Sequence, residues 1–256
     1  MTMLNVELDG EIAVLTMNRP GKRNAMCDEL LGEIDAFFSR PPAEAKVAVL
    51  TGTEGHYCSG LDLSEHKQRD AEGTMRHSRG WHAVMDRIQY GGLPVISAMF
   101  GAVIGGGLEM AASTHVRIAE PSTIFQLPEG RRGIFVGGGA SVRVGRILGA
   151  DRMIEMMLTG RKYNADEGLA LGLAHYSVGE GEALPMAMDL ARKIASNAPL
   201  SNYIMIQGIS RIEDMAKADG LFTESLCAAL TQTSPDAVEG LKAFLEKRDP
   251  SFGKKG

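Results

Sequence analysis

Hydrophobic and polar positions alternate at the start of the chain and then change period. Leu4-Asn-Val-Glu-Leu8 has the two-residue repeat of a half-buried strand, Asp9-Gly10 is a tight-turn pair, and Ile12-Ala-Val-Leu-Thr-Met17 returns. After Asn24, apolar residues fall at Met26, Leu30, Leu31, Ile34, Phe37 and Phe38, a helix face that Pro41-Pro42 ends. Val47-Ala-Val-Leu-Thr51 is a continuous apolar run, which suits a buried parallel strand. Residues 64–80 are crowded with charge and predict an exposed, mobile excursion or a surface helix. Helical spacing resumes at Trp81-His-Ala-Val-Met-Asp-Arg-Ile88. Two further strands are predicted at Pro94–Met99 and His115–Ala119, with a glycine-initiated helix between them. From Ala140 onward the pattern is mostly helical, at about 140–158, 182–198, 219–230 and 235–247. Strand–helix alternation followed by a helical final third reads as an α/β fold with an all-helical C-terminal region.

One charge interrupts the apolar middle of the chain. Between Arg87 and Arg117 the single formal charge is Glu109, directly behind Gly105-Gly106-Gly107-Leu108. Desolvation disfavours an ionised carboxylate in such a place, so one retained there is a candidate acid or base with a raised pKa. Glu129 follows in Leu127-Pro128-Glu129-Gly130, again before a glycine-rich segment. Each has a plainer account: an acidic residue in a first helical turn for Glu109, an ordinary turn for Glu129. The glycine run is neither a dinucleotide fingerprint nor a phosphate-binding loop, for it lacks the last glycine of the one and the Lys-Ser/Thr of the other.

Composition narrows the class. The chain has 256 residues, 44% hydrophobic and 23% charged, enough for one large domain or a domain with an appendage. A formal net charge of −5 argues against a nucleic-acid partner. Cys27, Cys58 and Cys227 are odd in number and far apart, which fits a reducing compartment. The N-terminus has no signal-peptide character, and the apolar run from Leu93 to Leu108 is too short for a membrane span. A cytoplasmic protein without membrane association is expected. His56 lies near Cys58 and Ser59 but without a nucleophile elbow, and the other histidines show no metal-ligand spacing, so neither metal nor redox cofactor is expected.

Taken in order, these pieces resemble the crotonase (enoyl-CoA hydratase/isomerase) family nearly end to end. The motifs are Asn18-Arg19-Pro20 with Asn24-Ala25, then Val49-Leu50-Thr51-Gly52 with Tyr57-Cys58-Ser59-Gly60-Leu61-Asp62-Leu63. Pro94–Ala98 with Gly105–Glu109 follow, then Pro128-Glu129, Gly133, Gly137-Gly138-Gly139 and Arg143. Leu158-Thr159-Gly160, Ala165 and Ala170–Leu173 complete the set.

The resemblance implies a spiral of ββα units over residues 1–195 and a helical oligomerisation region over 196–256. It implies homotrimers, often paired into hexamers, and an acyl-CoA thioester as substrate, with coenzyme A part of that substrate rather than a cofactor. It implies an oxyanion hole from the backbone N–H groups of Leu61 and Gly106, with Glu109 and Glu129 sharing a water that Gly137 helps to orient. Glu109 would deprotonate that water and Glu129 would protonate Cα, which favours hydration of a 2,3-enoyl-CoA. Isomerase, lyase or thioester-hydrolase chemistry on the same scaffold is the alternative, and an acyl-CoA- or RNA-binding scaffold is the non-enzymatic one.

Lys22 and Arg23 suit the coenzyme A phosphates, as does Lys247 from a neighbouring subunit, and Ser59 and Asp62 are further candidates for binding the substrate or its coenzyme A. Trp81, Met85 and Phe135 are candidates for the acyl pocket, or plain core. Arg131 and Arg132 depart from the family pattern. Either they form surface or intersubunit salt bridges, or one of them reads a polar or carboxylated acyl group.

Overall fold

The computed structural model describes residues 2–64 and 68–252. β1 (Leu4–Asp9) and β2 (Ile12–Met17) form the antiparallel hairpin, with Leu4 opposite Met17 and Asp9 opposite Ile12. α1 (Asp28–Ser39) carries the chain over to β3 (Val47–Gly52), which pairs in parallel with β2. The next elements are α2 (Ala71–Tyr90), β4 (Val95–Met99), β5 (Ala102–Ile104), α3 (Gly106–Ala111), β6 (Val116–Ala119) and β7 (Ile124–Gln126). With β8 (Tyr176–Ser177) the main sheet runs β1-β2-β3-β4-β6-β8, parallel throughout after the hairpin. β5 and β7 make a second, two-stranded parallel sheet, and Cys58 bridges onto it at Val103.

The remainder is helical: α4 (Ala140–Leu148), α5 (Ala150–Thr159), α6 (Ala165–Ala170), α7 (Ala183–Ala195), α8 (Pro199–Ile212), α9 (Lys217–Gln232) and α10 (Pro235–Glu246). The α/β expectation with a helical C-terminal region therefore holds. The division at residue 195, still a proposal, falls where α7 ends.

β3 is buried at every position because both faces are covered. Ala48 and Leu50 point into the inner core with Leu15, Met17, Phe38 and Ile88. Val47 and Val49 point the other way, joining Ile12, Ile96, Ala98 and Ile118 under α7. That helix presents Ala183, Ala187, Ala191 and Ala195, all buried and four residues apart, so a stripe of methyl groups lies along the sheet. Small side chains let the helix axis approach the sheet closely.

Two helical features depart from the sequence pattern, and a third settles an alternative that it left open. The run read as one helix over 140–158 is two, because Gly149 adopts φ 78° and ψ 153°, a conformation that glycine takes without a Cβ penalty. α8 escaped the pattern because its apolar residues wrap around it: Tyr203, Met205 and Ile209 are exposed, and its buried residue is Asn202. The charged stretch resolves toward its surface-helix alternative from Ala71 onward, where α2 runs unbroken for 20 residues. Asp70 caps it, accepting from the Gly73 N–H at 2.7 Å. Residues 65–67 of that stretch lie outside the described residues.

Replacing Ala191 by Leu should overpack the α7–sheet layer and lower unfolding stability by about 1–3 kcal/mol, measured by urea denaturation. A loss within ~0.5 kcal/mol would mean the layer tolerates far more volume than its alanine stripe indicates.

Candidate active site

The site begins with a loop tied down by polar groups. Asn24 sits buried in the left-handed region (φ 56°) and its side chain joins two segments. Its Nδ2 donates to the carbonyls of Thr53 and His56 (3.1 and 2.7 Å), while its Oδ1 accepts from the Arg19 N–H. Buried Asp62 is held nearby by the Ser64 hydroxyl (2.6 Å), the Ser64 N–H and Arg19 (3.1 Å), with Lys22 Nζ at 3.7 Å. The Ser64 hydroxyl bond is the largest cause that holds the Asp62 carboxyl at a pKa of about 2. Fixed in this way, residues 60–62 pair with Met26 as a parallel bridge: Met26 N–H donates to Gly60 O and Asp62 N–H to Met26 O, both at 2.8 Å. The alternation of such a bridge turns the N–H of Leu61 away from Met26. Among the described residues that N–H has no hydrogen-bond partner.

A second turn meets the first. Gly105, at φ 52°, ends the β5 strand and opens α3, whose first residue is Gly106. The Gly106 N–H is one of the first-turn donors that a helix leaves unpaired. Close approach makes glycine necessary here. A Cβ on Gly60 would stand 2.6 Å from Ile104 O and 3.3 Å from Gly106 N, and one on Gly106 would stand 2.8 Å from the Trp81 ring. α2 thus places Trp81 directly against the turn.

Glu109, on α3, is 4% exposed and points at the segment before α4. Its Oε1 accepts from the N–H groups of Gly138 (2.8 Å) and Ala140 (3.1 Å). Burial raises its pKa, while these two backbone donors favour the charged form and pull the other way. Gly138 is again a spatial requirement, since a Cβ there would lie 2.5 Å from Glu109 Oε2. Glu129 follows β7 on a 3₁₀ turn (Glu129–Arg132). Its Oε2 is buried and has no hydrogen-bond partner among the described residues. Burial first, and the neighbouring Glu109 charge next among the raising causes, lift its pKa to about 7, against the opposing charge of Arg132. The charge of Glu109 is among the causes that raise Glu129, so the two acids titrate as an interacting pair.

Both acids open on one cavity, walled also by Ser59, Leu61, Gly106, Gly137, Trp81, Phe135 and Arg132. The sequence candidates thus converge in part. Lys22, Arg23, Asp62, Arg131 and Lys247 do not line it. Lys22 is drawn to Ser64 and Asp62, Asp62 is spent on its own cations, and Lys247 ends α10 in the left-handed region. Met85 is core. Sequence reasoning missed the Gly138 and Ala140 donors, and also His77 and Ser78 of α2. Ser78 donates to Gly137 O at 2.6 Å and so fixes the turn facing Glu109. Gly138 was visible only as part of a motif, because a backbone donor leaves no side-chain signal.

The family model described as enoyl-CoA hydratase/isomerase matches residues 7–255. The chain belongs to that family. It is 31% identical over 252 residues to Enoyl-CoA hydratase EchA19 of Mycobacterium tuberculosis, covering 96% of this chain and 95% of the relative. It is 31% identical to the 2,3-dehydroadipyl-CoA hydratase of Escherichia coli K12 over 98% and 99% of the two chains. A crystal structure from Rhodopseudomonas palustris superposes with a TM-score of 0.93 at 44% identity, covering 96% of this chain and 95% of that one. Crotonase-type chemistry on an acyl-CoA follows from this membership at the level of the family. Among the described residues no helix is long and apolar enough to cross a membrane.

The raised Glu129 pKa has a sign that stability can test. The folded chain holds a proton that an unfolded carboxyl, near 4.5, has released, so this group's contribution is present below 4.5 and is lost as pH rises through about 7. The wild type should therefore lose urea-unfolding stability over that window relative to Glu129→Gln. Parallel pH curves for the two proteins would refute the assignment.

Proposed function

We propose that the protein is an enoyl-CoA hydratase, adding water across the 2,3 double bond of an enoyl-CoA thioester. The observation that carries this reading is the convergence of two buried glutamates on one cavity beside the unpaired N–H groups of Leu61 and Gly106. A thioester oxygen received by those two donors gains negative charge as the reaction proceeds, and each donor is worth about 3 kcal/mol at that moment.

Chemistry then divides between the acids. Glu109, its charged form favoured by the Gly138 and Ala140 N–H groups, removes a proton from water as the water oxygen bonds to Cβ. The π electrons pass to the thioester as an enolate. Glu129, carrying a proton near neutrality, delivers it to Cα. The water O–H, the Glu129 O–H and the C=C π bond break, the Cβ–O, Cα–H and Glu109 O–H bonds form, and the pair ends with its proton on the opposite member, to be exchanged before the next turnover. The Gly137 N–H assists in orienting the water.

Coenzyme A is proposed to leave the cavity past Ser59 toward Lys22 and Arg23, with Lys247 supplied by a neighbouring copy. Self-association as a trimer or a dimer of trimers is supported by exposed apolar residues on α9 and α10, among them Phe222, Leu226, Leu241, Phe244 and Leu245. Sedimentation should give a multiple of three chains.

Crotonyl-CoA should lose its conjugated ultraviolet absorbance with a product heavier by one water. Glu109→Gln and Glu129→Gln should each lower kcat by about 10²–10⁴-fold, with circular dichroism confirming that both variants fold. The wild-type kcat/KM should fall on the alkaline side of about pH 7 as free Glu129 loses its proton. A product of unchanged mass would point to an isomerase instead, and release of free coenzyme A to a hydrolase.

A further inference from the structure

We infer that Arg132 recognises the acyl end of the substrate, and that the preferred thioester carries a carboxylate on its acyl group. This rests on the acyl-CoA reading above and deepens it.

Arg132 stands in the cavity wall with Glu129 on one side in sequence and Ile134 and Phe135 on the other. Among the described residues its guanidinium has no hydrogen-bond or ion-pair partner. Its neighbours are committed elsewhere. Arg131 donates from Nη2 to Thr159 O at 3.0 Å and lies against Gly160, where a Cβ would stand 2.4 Å from its Nε. Arg143 is held by Gln89 at 2.7 Å and Asp86 at 2.5 Å. His77, which also lines the cavity, is bonded to Asp28 at 3.1 Å.

The other charged groups of this cavity are the two glutamates, so its wall sets one unengaged guanidinium against two acids. A second anion entering such a cavity is repelled unless a cation receives it. Guanidinium suits that task because its planar fork takes both oxygens of a carboxylate at once. A neutral acyl chain makes no use of it. The apolar surface of Ile134 and Phe135 beside it suits the methylenes that lead to such a carboxylate. The two arginines that the sequence offered as equivalents are thus separated: Arg131 braces the turn before α6, and Arg132 faces ligand.

The test compares three trans-2-enoyl-CoA thioesters of equal chain length, ending in a carboxylate, its methyl ester, or a methyl group. Wild type should favour the carboxylate in kcat/KM by about tenfold or more, the usual scale for a hydrogen bond to a charged group. Arg132→Gln should bring that ratio close to one, Arg132→Lys should keep part of it, and Arg131→Gln should leave the ratio in place. Calorimetry with saturated carboxylate and methyl-ester thioesters gives the same comparison without requiring hydration.

A wild-type ratio near one, or a ratio that survives Arg132→Gln, overturns the proposal. So does an equal loss on all three substrates with a displaced alkaline limb, which would mean that Arg132 only adjusts Glu129. If no thioester turns over yet the Arg132-dependent binding preference persists, the hydratase reading falls and this one stands. Hydration without preference gives the reverse.

Discussion

Burying two carboxylates on one cavity, with no ion pair to either among the described residues, is the constraint from which the rest of the site follows. Each must reach its place through a wall that would otherwise be filled by side chains. Gly138 leaves room for Glu109, Gly105 for Glu129 (a Cβ there would stand 2.9 Å from its Oε1), and Gly106 for the Trp81 ring. The same absent side chains expose backbone N–H groups. That of Gly138, together with the N–H of Ala140, stabilises the Glu109 charge, and that of Gly106 has no hydrogen-bond partner among the described residues. Space and electrostatics are therefore solved by the same residues, which is why the glycines cluster where the acids are.

The scaffold makes that geometry repeatable. The central parallel strands have no solvated side on which to shift, since β3 is packed by the inner core on one face and by the alanine stripe of α7 on the other. From them hang the two turns that meet at Gly60 and Gly106. The first is fixed by the Asn24 and Asp62 hydrogen bonds, the second by β5 pairing with β7. Polar side chains hold the loops, apolar ones hold the layers, and the cavity lies where the two meet.

How much of this could be read beforehand depended on whether the signal lay in side chains. The hairpin carries an alternating pattern, β3 and β4 are continuous apolar runs, and α7, α9 and α10 have helical spacing, so these elements were legible. Glu109 was legible because a lone charge in an apolar stretch is conspicuous. β5, β7 and β8 are two or three residues long and leave no period to detect. Gly149 was hidden inside an otherwise continuous helical pattern. At the site, the donors to Glu109 are backbone groups whose identity is independent of residue type. The different fates of Arg131 and Arg132 depend on Thr159 and Gly160, nearly thirty residues away in sequence.

Asp62 and Glu129 show what sequence cannot separate. Both are acidic, both lie within two residues of a glycine, and both are buried, at 6% and 8% exposed. Asp62 receives two hydrogen bonds from Ser64 and one from Arg19, and these outweigh its burial, so its pKa falls to about 2 and it is a fixed anion at any physiological pH. Glu129 keeps an oxygen without a partner beside another acid, and its pKa rises to about 7. A carboxylate whose bonds are all satisfied holds a loop, and one left short can carry a proton. The difference is not burial but compensation, and compensation is assembled only by the fold.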